Sequence, residues 1–345
     1  MTTISEIARR SGVSVGTVDR VLHDRGRVSE ETRVRVRQII KELDYKPNVI
    51  ARNLSLKKTY TFAVLLPEPE QDGRYWELPA AGIQKAIDEI KMYKVDAWYV
   101  YYDKYSELSF REACSQIKSS LHELDGIVMA PVLSKASEKF VQELSDRVPY
   151  VFVDSYVHCS RCLSYIGQES FQSGVLAAKL MQLKLRTGKL AALRVLPEDY
   201  HIEDRVRGFC SVMEGDDSMR VFVFDADRRE DPQVFRAMTV RILEAHPDIG
   251  GIFVPSACTH QVAEYLSAVG RSHDIVLIGY DLVEENRKFL KSGVIDFLIS
   301  QRPALQGYQG IYSLYRHVIL KQNVEPKMIV PIDILTRENL EYYQG

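Results

Sequence analysis

The sequence is poor in the features that mark exported, membrane-spanning or disulfide-bonded proteins. It has 5 cysteines in 345 residues, an odd number that does not make a disulfide framework and fits a reducing cytosol. Its longest apolar runs, such as 62–66, are far shorter than a membrane span. Residues 1–6 contain neither the basic nor the apolar region of a signal peptide. We therefore expect a cytoplasmic protein that does not contact a membrane.

Motifs of catalysis and of metal binding are also missing from the sequence. It contains no phosphate-binding loop, no nucleophile elbow and no H-E-x-x-H motif. Cys159 and Cys162 form a single C-x-x-C pair next to His158, but a zinc site normally needs four ligands and no second pair exists. These absences predict a protein that is not an enzyme and that holds neither a metal nor a cofactor. The role of the two cysteines stays open.

Charge is distributed unevenly, although the net charge is only −2. Residues 1–58 hold 13 basic and 7 acidic side chains, whereas the rest of the chain has a net charge of −8. A small basic region attached to an acidic body indicates a polyanionic partner for the first region alone.

Three short helices are predicted in the first 45 residues from their caps and apolar spacing. Thr3 and Glu6 have the spacing of a capping box, Ser14 and Ser29 are N-cap residues, and Gly12 ends the first helix. Two short helices joined by a tight turn and braced by a third are typical of a helix-turn-helix. The alternative is a three-helix module that binds protein, which the basic charge disfavours.

The second helix of a helix-turn-helix enters the major groove of DNA by its N-terminal end. Val15, Gly16 and Arg20 lie at that end of the predicted helix, and Arg20 is suited to a bidentate contact with guanine. The hydroxyls of Ser14 and Thr17 are suited to phosphates. We therefore predict binding to double-stranded DNA.

Four segments of this region closely resemble the headpiece of LacI-type regulators. They are residues 4–8, 12–22, 45–48 and 51–54. The resemblance implies a homodimer on a pseudo-palindromic operator, a hinge helix around residues 48–56 that folds on DNA, and further DNA contacts from Thr3, Asn48 and Ala51. It also implies that Leu54 wedges into the minor groove, which agrees with the way apolar wedges kink DNA. The alternative for Leu54 is packing against the body.

Asp19 departs from the pattern of that family, which usually has a small hydroxyl residue at this position. A carboxylate there is repelled by DNA unless it pairs with Arg20 or accepts from cytosine N4. We favour the pairing with Arg20. The departure bears on the operator sequence rather than on DNA binding itself.

Beyond residue 60, strand-like apolar runs alternate with amphipathic helical segments. The predicted strands are 61–66, 95–101, 126–130, 150–153, 190–195, 220–224, 251–254 and 274–278. This alternation predicts parallel sheets covered by helices on both faces, and it recurs too often for one sheet. We therefore predict an α/β fold with an all-α helix-turn-helix headpiece and two doubly wound parallel lobes.

The predicted domain boundaries follow from the same alternation. The DNA-binding domain comprises residues 1–47, the hinge and linker 48–59, and the effector-binding and dimerisation domain 60–345. Within the last, we expect the first lobe to contain about 60–165 and 300–322, and the second lobe about 166–299 and 323–345.

The body resembles the periplasmic-binding-protein-like sugar sensor of the same family. The segments that carry this resemblance are 125–131, 148–155, 205–209, 278–281 and 301–307. The resemblance spans nearly the whole body, but it is more diffuse than that of the headpiece. It implies two lobes that close on a sugar-like effector beyond the carboxyl ends of the strands.

Seven residues are predicted to bind the effector: Tyr75, Trp76, Asp154, Arg205, Ser256, Asp281 and Gln301. The two aspartates follow predicted strands and would accept hydrogen bonds from sugar hydroxyls, and the aromatic pair would stack on the ring. Arg205 matches an arginine with which relatives grip the ligand, Ser256 stands where relatives often have Asn, and Gln301 would add a polar contact near the lobe crossover. The alternatives are helix caps for the aspartates, a surface salt bridge for Arg205, and core or dimer packing for Tyr75 and Trp76.

Together these features predict a DNA-binding transcriptional regulator whose operator affinity depends on a small sugar-like effector, with repression of carbohydrate-utilisation genes as its role. The alternative is a solute-binding protein for sugar transport, which would need an export signal. Residues 336–340 contain no leucine heptads, so a dimer is favoured over a tetramer. The effector, the direction of its effect and the operator sequence stay open.

Overall fold

The structure, a computed structural model, describes residues 3–22, 24–43, 45, 58–144, 146, 148–158, 161–195, 199–215, 217–226 and 234–343. Contacts along the chain divide it into two compact units, Met1–Leu56 and Lys57–Gly345. We call the first the headpiece and the second the body, and each is described by itself. In the described part of the chain, no helix has both the length and the apolar character needed to cross a membrane.

Three helices form the headpiece: α1 (Ile4–Ser11), α2 (Val15–Leu22) and α3 (Glu30–Glu42). Their first turns are capped as the sequence predicts, because Thr3 and Ser29 accept hydrogen bonds from the backbone N–H three residues on. Gly12 ends α1 in the left-handed conformation with φ of 65°, which a residue without a Cβ adopts most easily. Ile7, Val18 and Val36 are fully buried where the three helices meet.

The strands of the body lie in two six-stranded sheets. The first sheet contains β1 (Tyr60–Pro67), β2 (Val95–Tyr102), β3 (Gly126–Met129), β4 (Tyr150–Val153), β5 (Ser164–Gly167) and β11 (Lys327–Ile329). The second contains β6 (Gly188–Val195), β7 (Met219–Ala226), β8 (Ile249–Phe253), β9 (Val276–Tyr280), β10 (Phe297–Ser300) and β12 (Asp333–Leu335). We call each sheet with the helices packed on it a lobe.

The two sheets have equivalent topology. The strand order is β11-β5-β4-β3-β1-β2 in the first and β12-β10-β9-β8-β6-β7 in the second. All neighbouring strands are parallel except β10 and β12, which are antiparallel. The predicted α/β class with two doubly wound lobes is therefore confirmed.

Helices cover the faces of both sheets. They are α4 (Glu77–Ile90), α5 (Glu107–Ser119), α6 (Ser134–Glu143), α7 (Ser170–Lys184), α8 (Tyr200–Met213), α9 (Val234–Ala245), α10 (Thr259–Ala268), α11 (Glu284–Ser292) and α12 (Pro303–Leu314). Shorter helical turns lie at Gln71–Arg74, Lys91–Tyr93, Leu121–Glu123, Tyr315–Ile319 and Leu340–Tyr342.

The apolar run in β1 shows why the strands lie where they do. Phe62, Val64 and Leu66 pack into one core cluster, and Ala63 and Leu65 pack into another on the opposite face. All five are fully buried. A strand covered on both faces is continuously apolar rather than alternating, which is what the sequence shows at 62–66.

The chain crosses between the lobes later than the predicted boundary at residue 323. After β10 it returns to the first lobe, where α12 packs against α4 and β4. The strand β11 at 327–329 still pairs with β5 in the first sheet, and only β12 joins the second. Three-residue strands are too short to show a periodicity, so the sequence pattern did not reveal this crossing.

Close helix packing in each lobe depends on pairs of glycines. In the first lobe, a Cβ on Gly82 of α4 would collide with the carbonyl of Ala304, and one on Gly307 of α12 would collide with the carbonyl of Pro79. In the second lobe, Gly174 of α7 approaches the carbonyl of Arg205 equally closely. These glycines let the helix backbones touch, and in the second lobe they fix the position of α8.

Replacing Gly82 by Ala should therefore destabilise the body. The added methyl group must push α4 away from α12, and overpacking of this kind typically costs about 1–3 kcal/mol. Chemical denaturation followed by tryptophan fluorescence would report it, because both tryptophans, Trp76 and Trp98, lie in the body. Gly215→Ala is the matched control, since a Cβ there meets nothing within 4 Å. Equal stability of the two variants would contradict the packing argument.

Candidate functional site

A cleft lies in the body at the carboxyl ends of strands from both sheets. Its lining comprises Asp72, Tyr75, Trp76, Lys104, Tyr105, Val132, Asp154, Asp199, His201, Ile202, Arg205, Phe235, Ser256, Ala257, Asp281 and Gln301. All seven residues that the sequence predicts to bind an effector are in this set.

Asp154 and Asp281 occupy equivalent positions in the two lobes. Asp154 directly follows β4 and Asp281 directly follows β9, and each of these strands stands third in the strand order of its sheet. Both residues have left-handed backbone, with φ of 69° and 60°. Non-glycine residues adopt this conformation at a cost, and such residues concentrate at functional sites. The left-handed residue ends the strand and leaves the carboxylate in the cleft.

Neither carboxylate caps a helix, which was the alternative for this pair. Tyr75 Oη donates to Asp154 Oδ1 at 2.5 Å, and Gln301 Nε2 donates to Asp281 Oδ2 at 3.1 Å. Both aspartates are almost fully buried, with 3% and 2% of their surface exposed. They therefore face the cleft rather than a helix terminus.

Arg205 projects from α8 into the same cleft and is 1% exposed. Its Nη1 donates to the carbonyl oxygen of Pro255 at 3.0 Å, and its Nη2 donates to Gln301 Oε1 at 2.8 Å. The guanidinium lies over the ring of Tyr280, 4.1 Å from its centroid. This burial is inconsistent with a surface salt bridge, the alternative for Arg205.

Two glutamines connect the polar groups of the two lobes. Gln301 follows β10, where the chain leaves the second sheet, and bonds to both Arg205 and Asp281. Gln306 on α12 donates to the backbone oxygen of Gln301 at 2.8 Å and accepts from the backbone N–H of Asp154 at 2.7 Å. A chain of hydrogen bonds therefore runs from Asp281 through Gln301 and Gln306 to the backbone of Asp154.

The aromatic pair is both part of the core and part of the cleft wall. Tyr75 and Trp76 are 4% and 2% exposed, and their rings meet edge to face with centroids 5.0 Å apart. Trp76 Nε1 donates to Asp72 Oδ2 at 3.0 Å. Ser256 is half-buried, and its hydroxyl accepts from the N–H of Cys258 at 3.4 Å.

Sequence analysis missed a buried ion pair in the cleft. Asp72 pairs with Lys104 and accepts from Tyr105 Oη at 2.8 Å. Burial alone would raise the pKa of Asp72, but the Lys104 ammonium and the hydrogen bonds outweigh it and lower that pKa. Asp72, Gly73 and Arg74 all have positive φ, between 55° and 71°. The Asp-Gly dipeptide signals a tight turn in the sequence, but not the direction of its carboxylate.

A second missed group lies where α8 begins. Asp199 is the N-cap residue of α8, and Ser155 Oγ of the first lobe donates to its Oδ1 at 2.6 Å. His201 Nδ1 lies 2.7 Å from the same oxygen, while its Nε2 is 3.9 Å from Asp154 Oδ2. His201 is 5% exposed and lines the cleft. These contacts join the two lobes at the cleft.

Ionisation of the buried Asp281 carboxyl is unfavourable in the folded protein. Burial raises its pKa from 3.8 to about 7, with the nearby carboxylate of Asp154 adding to the rise and Arg205 partly opposing it. Its Oδ1 is buried and has no hydrogen-bond partner among the described residues. Burial also raises the pKa of Tyr75 well above its ordinary value, with Asp154 and Asp281 contributing.

The raised pKa of Asp281 predicts a pH-dependent effect of Asp281→Asn. Below pH 4 the carboxyl is protonated in both states, so the native protein carries no penalty. Between pH 4 and about 7 the carboxyl of Asp281 is ionised in the unfolded chain but protonated in the native protein. The free energy of unfolding therefore falls as the pH rises, by up to about 4 kcal/mol. The variant should therefore be more stable than the wild type at pH 8, with the difference fading towards pH 4.

Denaturation by urea at pH 4.5, 6 and 8 measures this difference. Asp72→Asn is the matched control with the opposite sign, because it leaves the Lys104 ammonium buried without its partner and should cost about 3–5 kcal/mol. A difference between Asp281→Asn and the wild type that does not vary with pH would refute the raised pKa.

Val15 and Gly16 lie in the first turn of α2, and Arg20 lies in its last turn. All three are exposed, and Ser14 Oγ accepts from the N–H of Thr17 at 3.2 Å. Thr3 is exposed beside the start of α1. The predicted contacts at Asn48, Ala51 and Leu54 lie outside the described residues.

Among the described residues, no cluster of three or more histidine, cysteine or acidic side chains is placed to hold a metal ion. Cys162 Sγ donates to the backbone oxygen of Ser164 at 3.0 Å. Cys159 lies outside the described residues.

Comparison with known proteins associates each unit with a family profile. Residues 3–48 match the profile described as bacterial regulatory proteins, lacI family, and residues 62–322 match the periplasmic binding protein domain. The NTD biosynthesis operon regulator NtdR of Bacillus subtilis is 32% identical over 173 residues, which are 50% of this chain and 49% of that one. The ribose operon repressor of Halalkalibacterium halodurans is 27% identical over 81% of this chain and 80% of its own length.

A solved structure gives a similar result. A protein from Bacteroides fragilis, described as a candidate LacI transcriptional regulator, superposes with a TM-score of 0.74 at 31% identity. The superposition covers 83% of this chain and all of that one.

Proposed function

This chain belongs to the lacI family of bacterial regulatory proteins, and from that premise we propose that it represses carbohydrate-utilisation genes under the control of a sugar-like effector. It binds a pseudo-palindromic operator as a cytoplasmic homodimer and catalyses no reaction. The resemblance to LacI-type regulators predicted from the sequence is confirmed by the two profile matches and the solved relative.

The observation that carries the proposal is the set of exposed residues on α2 within the matched segment 3–48. Val15 and Gly16 in the first turn approach base edges, and Arg20 in the last turn reads a guanine. Thr3, Ser14 and Thr17 contact phosphates. Asn48 and Ala51 extend the interface, and Leu54 inserts into the minor groove, as the family resemblance implies. A transport protein has no need of such a segment, which favours the regulator over the solute-binding alternative.

The cleft of the body binds the effector. Its aspartates and Gln301 accept from and donate to hydroxyl groups, and Tyr75 and Trp76 form its aromatic wall. A relative named as a ribose operon repressor supports a sugar-like ligand. Because side chains of both lobes line the cleft, binding favours the closed arrangement, and a coupling of about 1–3 kcal/mol to operator affinity would be typical.

Arg20→Ala should weaken binding to the operator and relax its sequence preference. Losing one bidentate guanine contact costs about 1–3 kcal/mol of discrimination. Selection of binding sites from random duplexes, followed by anisotropy titration at fixed salt, would identify the operator and measure this loss. Arg35→Ala, which removes the same charge from an exposed position on α3, should keep the sequence preference. If neither the wild type nor any variant prefers a palindromic site, the proposed function is wrong.

Arg205→Met should abolish the effector response and leave operator binding intact. The substitution keeps the volume of the side chain but removes the guanidinium that holds Gln301 and the carbonyl of Pro255. The readout is the change in operator affinity with those sugars that shift the wild type. Arg207→Met is the matched control, two residues along α8, where the side chain is exposed and pairs with Asp204. Identical responses of the two variants would exclude Arg205 from the effector site.

A further inference from the structure

The cleft contains more negative than positive charge. It is lined by four carboxylates, Asp72, Asp154, Asp199 and Asp281, but by only two permanent cations, Lys104 and Arg205. Buried charges are normally paired, because an unpaired charge loses its hydration without compensation. The contacts among these carboxylates and cations show which charges remain available to a ligand.

Both cations are already engaged within the protein. Lys104 pairs with Asp72, so that its charge is neutralised. Arg205 uses both terminal nitrogens on Pro255 and Gln301, and its face lies on Tyr280. Only its Nε has no partner. Among the described residues, the cleft therefore offers no unoccupied guanidinium fork and no unpaired ammonium, which are the groups that bind carboxylates and phosphates. The cleft is therefore less suited to an anionic ligand than to a cationic one.

Two of the carboxylates, those of Asp154 and Asp281, have no close ion pair among the described residues, although the charge of Arg205 partly favours the ionised form of Asp281. The imidazole of His201 lies against Asp199, at 2.7 Å, but is 3.9 Å from Asp154. Among the described residues, Asp154 has only the neutral hydroxyl of Tyr75 as a side-chain donor within hydrogen-bond distance. Asp281 accepts from neutral N–H groups of the side chain and backbone of Gln301. Its buried Oδ1 has no hydrogen-bond partner in the described part of the chain. These two aspartates come from different lobes, and the charge of Asp154 disfavours ionisation of Asp281.

We propose that the effector is a sugar that carries a positively charged amino group, and that this group binds between Asp154 and Asp281. The inference rests on the proposed function and deepens it by naming the class of ligand. An ammonium has three donors, enough for Asp281 Oδ1, Asp154 Oδ2 and one further acceptor. A ring or hydroxyl oxygen of the same sugar would accept from Arg205 Nε.

A neutral hydroxyl cannot substitute fully for the ammonium. It would satisfy the hydrogen bond at Asp281 Oδ1, but it would leave the repulsion between the two carboxylates unchanged. Hydrogen bonds between two charged groups are about twice as strong as neutral ones. Because Asp154 and Asp281 belong to opposite lobes, a cation between them also converts a repulsion across the cleft into an attraction.

The test is calorimetric titration of the full chain with matched sets of three sugars. Each set contains a hexose, its amino-deoxy derivative with the amine at position 2, 3, 4 or 6, and the N-acetyl form of that derivative, which has no charge. We expect at least one amine to bind about 100-fold more tightly than both of its neutral counterparts. A panel in which a neutral hexose binds as tightly as every amine, or in which no amine binds, overturns the inference.

Two variants separate a specific role of the carboxylates from a general loss of structure. Asp281→Asn and Asp154→Asn should each reduce the preference for the amine over its parent hexose by at least about 10-fold. Asp248→Asn, a surface carboxylate paired with Lys189, should leave the preference unchanged. Unchanged preference in both cleft variants would overturn the inference.

Operator binding by the same preparations tests the proposed function independently. Tight binding of a neutral hexose together with operator binding refutes only the amine preference. Amine preference without operator binding supports the assignment of the cleft and refutes the regulatory function.

Discussion

Burial of both faces of each parallel sheet determines where the rest of the body can place polar groups. Helices cover both faces, so residues 62–66 of β1 are apolar without interruption. Charged side chains can then approach a sheet only where its strands end. The carboxyl ends of the two sheets meet at one cleft, and the functional groups are concentrated there because the apolar layers exclude them elsewhere.

The equivalent strand orders of the two lobes explain the equivalence of their aspartates. Asp154 and Asp281 each end the third strand with a left-handed residue, and each sends a carboxylate into the cleft. The lobes differ in what surrounds this position. The first lobe supplies Tyr75 as a donor, while the second supplies Arg205 and Gln301. The cleft therefore holds two similar acceptors in unequal surroundings, which suits a ligand with chemically different ends.

The sequence predicted those parts of the structure that depend on local patterns. Continuous apolar runs marked the long strands, and an aspartate directly after such a run was placed in the cleft because strand ends share one edge of a sheet. The helix caps at Thr3 and Ser29 were predicted in the same way, because each bonds to a backbone N–H only three residues on. The seven predicted effector residues needed the family resemblance as well, since nothing local to Arg205 or Ser256 points to a ligand.

Long-range contacts account for what was missed. Lys104 lies 32 residues from Asp72, Ser155 lies 44 from Asp199, and Gln306 lies 152 from Asp154. No pattern within a sequence window relates such pairs. The strands β11 and β12 were missed for another reason, since each has three residues and pairs at a sheet edge beside a strand distant in sequence. Because these strands are so short, the sequence pattern also did not predict the final crossing of the chain from the first lobe to the second.

The cost of Asp281 links stability to control by a ligand. A domain of this kind is stable by roughly 5–15 kcal/mol, so a penalty of up to about 4 kcal/mol at neutral pH is a large fraction of the total. Replacing one carboxylate would remove that penalty, whereas a ligand at 100 times its dissociation constant contributes about 2.7 kcal/mol of stability by mass action. The two quantities are of similar size. In the proposed mechanism, the carboxylates oppose closure of the empty cleft and favour closure around a bound cation, and this difference between the two states is what an effector acts on.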